Sequence, residues 1–120
     1  MYKEEILDLY KNPMNEEDLG KVDSYTCSCG ENPSCGDDTE ICIDMDNGEV
    51  VSIKHQTEGC AISTAAISIA TEEVKGMNKE EILDLDKDWM LEKLGVEISP
   101  MRMKCALLGL KTIQKALKED

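Results

Sequence analysis

The middle of the chain carries the two-residue period of β-strands. Between residues 38 and 45, apolar positions alternate with polar ones, which predicts a strand with one buried face. Its apolar face is formed by Ile41, Ile43 and Met45. Asn47-Gly48 follows and is typical of a type I′ hairpin turn, because both turn positions need positive φ. We therefore expect residues 49–56 to return as a second strand, and the weaker pattern at residues 24–29 predicts a third.

From Cys60 onward the period becomes that of a helix. Apolar residues recur three and four apart at Ile62, Ala65, Ala66, Ile69, Ala70 and Val74. A last helix is predicted to start after Ser99, with Pro100 in its first turn, and to run to about Leu117. Shorter helices are predicted over residues 2–10, after a capping-box-like Asn78 with Glu81, and over residues 89–94. Residues 15–20 are interpreted as a turn or a short helical connection. The predicted fold class is α+β, a three-stranded antiparallel sheet packed against several helices in a single domain, residues 1–120.

Length and charge narrow the function classes. The chain has 120 residues, 13 Lys and Arg, 26 Asp and Glu, and a formal net charge of −13. This acidity disfavours binding to nucleic acid or to anionic membranes, which needs clustered positive charge. No apolar run approaches the roughly 20 residues of a spanning helix. The first residues also lack the apolar region of a signal peptide. We therefore expect a soluble, cytoplasmic protein.

Six cysteines are the unusual part of the composition. They could form three disulfides, as in small secreted domains, or they could serve metal, redox or sulfur chemistry, as in reducing compartments. Cys35, Cys60 and Cys105 are predicted to lie at the edges of elements, the latter two near helix N-termini. Helix N-termini favour the thiolate, which is the form that binds metal. No pair of C-x-x-C knuckles is present, so a zinc ribbon is not indicated.

Four segments in order carry a family resemblance. They are residues 9–13 (LYKNP), 32–37 (NPSCGD), 58–63 (EGCAIS) and 104–106 (KCA). Together they closely resemble iron–sulfur cluster assembly scaffolds of the IscU/SufU type, which also occur as the N-terminal domain of NifU proteins. The resemblance covers nearly the whole chain.

The resemblance implies a scaffold with three thiolates and one carboxylate at one exposed end of the molecule. The residues carried over by motif are Cys35, Cys60 and Cys105, with Asp37 as fourth ligand or as the group that governs release. Such scaffolds take sulfur from a cysteine desulfurase and iron from an iron donor, and pass a [2Fe–2S] cluster to apo iron–sulfur proteins. They are not turnover enzymes. A homo-oligomer is left open.

Lys104 departs from part of the family pattern. Many IscU proteins have His immediately before the third cysteine, whereas Lys at that position resembles the SufU branch. The interval from Cys60 to Cys105 nevertheless lacks the insertion typical of SufU. Histidine therefore cannot be a ligand at position 104, which favours Asp37 as the fourth ligand.

Two other function classes remain open on the sequence. The first is a zinc-dependent sulfur acceptor, a SufU-like sulfurtransferase with Zn²⁺ on the same four residues, because such a donor set also suits zinc. The second is a module held by disulfides. Cys27, Cys29 and Cys42 lie outside the family motifs; they are interpreted as ordinary thiols, with a sulfur relay or an extra metal site as the alternative. A series of lysines, Lys104, Lys111, Lys115 and Lys118, is either a solvated face or a docking surface.

Overall fold

A computed structural model describes residues 4–20, 24–33 and 36–118 of the chain. A short helix precedes three strands, and the remaining helices follow them. In chain order the elements are α1 (Glu4–Lys11), β1 (Thr26–Asn32), β2 (Asp37–Asp46), β3 (Glu49–Glu58), α2 (Ala61–Glu73), α3 (Lys79–Leu83), α4 (Lys87–Leu94), a short 3-10 helix (Pro100–Arg102) and α5 (Met103–Lys118). The predicted α+β class and three-stranded antiparallel sheet are confirmed.

The sheet has the order β1-β2-β3 and two chemically different faces. Ser28, Ile41 and His55 lie opposite one another on neighbouring strands and are buried. This inner face packs against the helices. Because successive side chains of a strand point to opposite faces, the next row of residues lies on the outer face. It contains Cys42 opposite Lys54. The predicted hairpin turn is present, with φ values of 54° at Asn47 and 79° at Gly48.

Helices α2 and α5 form the layer on the inner face. Helix α5 packs against α2, β1 and β2, and α1 covers another side of α2. The largest core side chains from these elements include Ile41, Ile43, Ile62, Ile67 and Ile113. Gly109 allows the close approach of α5 to α2, because a Cβ there would lie 2.5 Å from Cγ1 of Ile67. The core therefore reaches from the sheet through both long helices.

The structure differs from the sequence prediction in two connections. Residues 15–20 contain turns at Asn15 and Gly20, which is one of the two predicted alternatives, but no helix. Glu16 instead forms a parallel bridge with His55 of β3. The backbone N–H of His55 donates to the Asn15 carbonyl at 3.0 Å. A polar segment without periodicity takes its conformation from this pairing, which no local pattern could predict. In addition, Pro100 starts a 3-10 turn and not α5 itself, which begins at Met103.

Among the described residues, no helix combines the length and the apolar character needed to cross a membrane.

Candidate metal and cluster site

Asp37 is the first residue of β2 and ends the inner row of that strand. Its side chain is only 2% exposed, and its Cα partner on β1 is Asn32, which is also buried. Thr39 and Ile41, which follow in the same row, are also buried, so the carboxylate lies at the end of a row of buried side chains. A buried carboxylate needs hydrogen-bond donors to offset its desolvation.

The start of α2 supplies part of those donors. Cys60 is the N-cap of α2, and its backbone N–H donates to Asp37 Oδ1 at 2.9 Å. The Ser63 hydroxyl donates to the same oxygen at 3.1 Å. The Cys60 sulfur in turn accepts the backbone N–H of Ser63 at 3.5 Å, as a capping side chain does. Asp37 and the Cys60 thiol are thus fixed by the same helix terminus.

Gly59 makes this contact sterically possible. A Cβ at this position would lie 2.6 Å from Asp37 Oδ1 and 2.5 Å from Ser63 Oγ. Real Cβ atoms do not approach other heavy atoms so closely, so a side chain here would displace the Asp37 carboxylate and the Ser63 hydroxyl from their present positions. Glycine before Cys60 therefore follows from the geometry of the site.

Cys105 enters the site from α5. It lies in the first turn of that helix, is fully buried and belongs to the hydrophobic core. The side-chain amide of Asn32 connects it to the carboxylate: Nδ2 lies 3.5 Å from Cys105 Sγ and 3.3 Å from Asp37 Oδ2. The predicted position of Cys105 near the N-terminus of the last helix is confirmed. The expectation that this edge position keeps the thiol out of the core is wrong, because the start of α5 is itself covered.

The two thiols and the carboxylate converge. One ligand atom from each of Asp37, Cys60 and Cys105 lies within 4.8 Å of the other two. Thiolate sulfurs bind zinc and iron well, and a carboxylate oxygen can complete such a set. Cys60 is half-buried, whereas Asp37 and Cys105 are buried. Of the three described ligands, Cys60 is therefore the one that is partly open to solvent.

Burial alone would raise the pKa of Asp37, but hydrogen bonds from four groups outweigh that effect. The donors, in decreasing order, are the thiol of Cys105, the backbone N–H of Cys60, the hydroxyl of Ser63 and the amide of Asn32. Together they lower the pKa below its ordinary value, and the site therefore holds a carboxylate and not a carboxylic acid.

A known domain family matches almost the whole sequence of this chain. Residues 1–119 match the NifU-like N-terminal domain family. The chain belongs to this family. The expected resemblance is thereby confirmed over nearly its whole length.

Relatives of this NifU-like domain carry two kinds of name. The chain is 35% identical to the iron–sulfur cluster assembly scaffold protein IscU of Haemophilus influenzae, over 98% of this chain and 94% of that one. It is 34% identical to the zinc-dependent sulfurtransferase SufU of Bacillus subtilis, over 100% of this chain and 91% of that one. The crystal structure of a scaffold protein for the SUF system from Fervidobacterium islandicum, described as putative, has a TM-score of 0.74. Its identity is 28%, with 97% and 96% of the two chains covered.

Of the four residues predicted as ligands in this NifU-like domain, the structure brings Asp37, Cys60 and Cys105 together. Cys35 lies outside the described residues. Ser63 and Asn32 were not predicted to take part. Both lie inside the motif segments, three residues after Cys60 and five before Asp37, and their position there is the signal that could have identified them.

Three further cysteines of the domain lie on the outer face of the sheet or beside it. Cys27 and Cys42 are Cα partners on β1 and β2 and form a disulfide. Their interpretation as ordinary thiols was therefore wrong. Cys29, Cys60 and Cys105 are not disulfide-bonded. A chain held together by three disulfides is excluded, since the described cysteines form one bridge and leave three thiols.

Lys104, Lys111, Lys115 and Lys118 are all exposed on α5, as the helical spacing predicts. Lys104 lines a shallow groove that also includes Asn32, the residue that contacts both Asp37 and Cys105. Lys115 lies beside β1 and donates to the carbonyl oxygen of Cys29 at 3.3 Å. A positive face therefore borders the site in an otherwise acidic molecule.

Proposed function

We propose that this chain is a scaffold on which an iron–sulfur cluster is assembled and from which it is handed on. The observation that carries the proposal is the convergence of Asp37, Cys60 and Cys105 within 4.8 Å. Membership of the NifU-like N-terminal domain family and the scaffold names of several relatives support it. The cluster is cargo, and the chain itself turns over no substrate.

The proposed ligands are the thiolates of Cys35, Cys60 and Cys105 and the carboxylate of Asp37. Cys35 is two residues before Asp37 in sequence, so a short stretch of chain links it to the described ligands. Three soft sulfurs hold iron, as in other iron–sulfur proteins. We assign a [2Fe–2S] cluster to these four residues, with sulfur from a cysteine desulfurase, iron from a separate donor and apo-proteins as recipients.

Asp37 is the group proposed to make the cluster transferable. Both of its oxygens already accept hydrogen bonds, from Cys60 and Ser63 on one side and Asn32 on the other. A metal ion must compete with these donors for the carboxylate lone pairs, which weakens the oxygen–metal bond. An oxygen ligand is also a poorer match for iron in clusters than a thiolate. The bond to Asp37 is therefore the one expected to open first.

Anaerobic reconstitution tests the proposal. We expect the chain, incubated with ferrous iron, cysteine and a cysteine desulfurase, to develop the visible absorption of a [2Fe–2S] cluster with matching acid-labile sulfide. Asp37→Ala should still assemble the cluster but transfer it to an apo-ferredoxin more slowly, by about tenfold, or about 1.4 kcal/mol in the barrier.

Asp38→Ala is the matched control, because Asp38 is the exposed neighbour of Asp37 on the same strand. It should transfer the cluster at the wild-type rate. Faster loss of the cluster from Asp37→Ala would contradict the role given to Asp37. Failure of the wild-type chain to form any cluster would contradict the scaffold function itself.

A second candidate is a zinc-dependent sulfur acceptor. It is favoured by the similarity to the Bacillus subtilis protein of that name and by Lys104, which takes the position before the last cysteine. Zinc is held tetrahedrally by sulfur and oxygen ligands, so the same four residues would suffice. The reconstitution separates the two functions: tight zinc binding with no cluster from iron and sulfide supports the sulfur acceptor.

A further inference from the structure

Three cysteines and a glutamate form a block on the outer face of the sheet. Cys27 lies opposite Cys42, and Cys29 lies opposite Glu40, on the antiparallel pair β1 and β2. Positions two apart on a strand point to the same face, and so do directly paired positions. All four side chains therefore leave the sheet on the side away from α2 and α5, separate from Asp37, which lies on the inner row.

Three members of this block are already close together in the disulfide form, in which the sulfurs of Cys27 and Cys42 are bonded to each other. One ligand atom from each of Cys27, Glu40 and Cys42 lies within 4.8 Å of the other two. Zinc–sulfur bonds of about 2.3 Å and zinc–oxygen bonds of about 2.0 Å place tetrahedral ligands roughly 3.3–3.8 Å apart. The two bonded sulfurs must therefore move apart to this separation once the disulfide is reduced, and Glu40 must move only slightly closer. Cys29 is exposed and is the Cα partner of Glu40. Its sulfur does not lie within 4.8 Å of all three other ligand atoms, so its side chain must turn toward them to supply the fourth ligand.

The electrostatics around Glu40 favour a cation. An open groove of about 650 Å³ begins at Glu40 and is lined by further acids. These are Glu16, Glu17, Asp18, Asp38 and Glu58. Lys54, the Cα partner of Cys42, pairs with Glu17 at 3.9 Å and not with Glu40. A cleft lined by one sign of charge concentrates counter-ions, so divalent cations are drawn toward the block.

We propose that Cys27, Cys29, Cys42 and Glu40 form a second metal site that binds one thiophilic divalent cation, Zn²⁺ or Fe²⁺, when the Cys27–Cys42 disulfide is reduced. Three sulfurs and one oxygen select such ions over Mg²⁺ and Ca²⁺, which prefer oxygen ligands. In the disulfide state, Cys27 and Cys42 cannot act as thiolates and the site is closed. Redox state therefore decides whether the outer face carries metal.

Opening the site takes two electrons. A dithiol reductant breaks the Cys27–Cys42 S–S bond, its two thiol protons are transferred to the two sulfurs, and it closes to its own disulfide. The cation then displaces the thiol protons, which pass to solvent, and binds the resulting thiolates together with Glu40. This site does not depend on the proposed scaffold function, because it shares no residue with Asp37, Cys60 and Cys105.

Cobalt titration of the full chain in two redox states tests the site. Co²⁺ reports thiolate ligation through its sulfur-to-metal charge-transfer absorption, and a thiol assay verifies the disulfide state. We expect the fully reduced chain to bind one more Co²⁺ than the disulfide form. Cys60→Ser, which removes a ligand of the inner site from a half-buried position, should retain that extra ion. An equal number of ions in both redox states overturns the proposal.

Exposed ligands provide variants that leave the fold intact. Glu40→Gln and Cys29→Ser should each weaken the redox-dependent ion by at least the roughly 10- to 100-fold that loss of an outer-shell partner costs. Glu58→Gln is the matched control, since it removes the same charge from the same groove at an exposed position that is not a ligand. If Glu58→Gln weakens the ion as much as Glu40→Gln, the effect is general electrostatics and ligation by Glu40 is excluded.

Discussion

At the scale of single residues, His55 shows how a polar side chain is accommodated in the core of this domain. It is fully buried on the inner row of β3. Nε2 lies 2.9 Å from the Met14 carbonyl oxygen, which can only accept, so Nε2 carries the proton. Nδ1 then accepts from the Thr57 hydroxyl at 2.8 Å. Both ring nitrogens of the neutral imidazole are satisfied, and the ring anchors the segment before β1 to the sheet.

This environment predicts a pH-dependent stability. Burial lowers the pKa of His55 below its ordinary value of 6.5, and the Met14 carbonyl and the charge of Glu16 oppose this only in part. Because the unfolded chain then takes up a proton at higher pH than the folded one, stability falls as pH drops below about 6.5 toward the folded pKa. The slope is at most about 1.4 kcal/mol per pH unit for one proton.

Urea unfolding between about pH 5 and 8, the range in which histidine titrates, measures that slope. His55 is the single histidine of the chain, so His55→Gln removes the contribution completely and serves as the reference. We expect the wild type to lose stability relative to His55→Gln as the pH falls. A difference between the two chains that stays constant over this range would contradict the assignment.

At the scale of elements, the predictable features were those with a local cause. Asn47-Gly48 determines its hairpin, and Asn78 with Glu81 forms the complete capping box, with hydrogen bonds of 2.8 Å and 3.1 Å. The strand β1 was predicted over residues 24–29 but runs over Thr26–Asn32. Its last residues show no alternation of apolar and polar positions, and only pairing with β2 extends the strand to Asn32.

The candidate site divides in the same way. The motif segments identified Asp37, Cys60 and Cys105, because each lies in a short characteristic stretch of sequence. The disulfide between Cys27 and Cys42 was missed, since it depends on the register of β1 against β2, and no pattern within either strand reveals that register. The burial of Cys105 was missed for a related reason: it depends on which elements cover the start of α5.

The contact between α2 and α5 gives a prediction at this scale. Gly109→Ala would improve the helix propensity of α5 by about 1 kcal/mol if the position were exposed. The added Cβ would instead lie 2.5 Å from Ile67 Cγ1 and 3.1 Å from its Cα, so the backbones must separate. Overpacking of this kind costs about 1–3 kcal/mol. Set against the gain in helix propensity, this leaves an expected net loss of up to about 2 kcal/mol in the free energy of unfolding, measured by urea denaturation.

Two further variants make this test specific. Lys111→Ala, on the exposed side of α5, should change the free energy of unfolding by less than about 0.5 kcal/mol. Ile67→Ala should be less costly in the Gly109→Ala background than in the wild type, because it removes the side-chain part of the clash. Stabilisation by Gly109→Ala alone would contradict the close packing of the two helices.

At the scale of the whole molecule, charge is distributed unevenly. The chain has twice as many acidic as basic side chains, 26 against 13. Several acids line the groove on the outer face of the sheet, whereas Lys111, Lys115 and Lys118 line a groove on α5. Like charges that are close together in the folded state repel each other more strongly than in the unfolded chain, and salt screens this repulsion over a Debye length of about 10 Å at 0.1 M.

The molecule should therefore become more stable as monovalent salt is added. We expect the thermal midpoint to rise with sodium chloride, measured with a chelator present so that metal binding does not contribute.

Glu58→Gln, within the acidic groove, should raise the midpoint at low salt and reduce its salt dependence. Glu92→Gln, exposed on α4 away from this groove, loses the same charge and should have a smaller effect. If the two variants change the midpoint equally, the repulsion comes from the net charge of the whole molecule and not from the acids that line the groove. A midpoint that falls with salt would show instead that attractive pairs, such as Lys54 with Glu17, outweigh the repulsion.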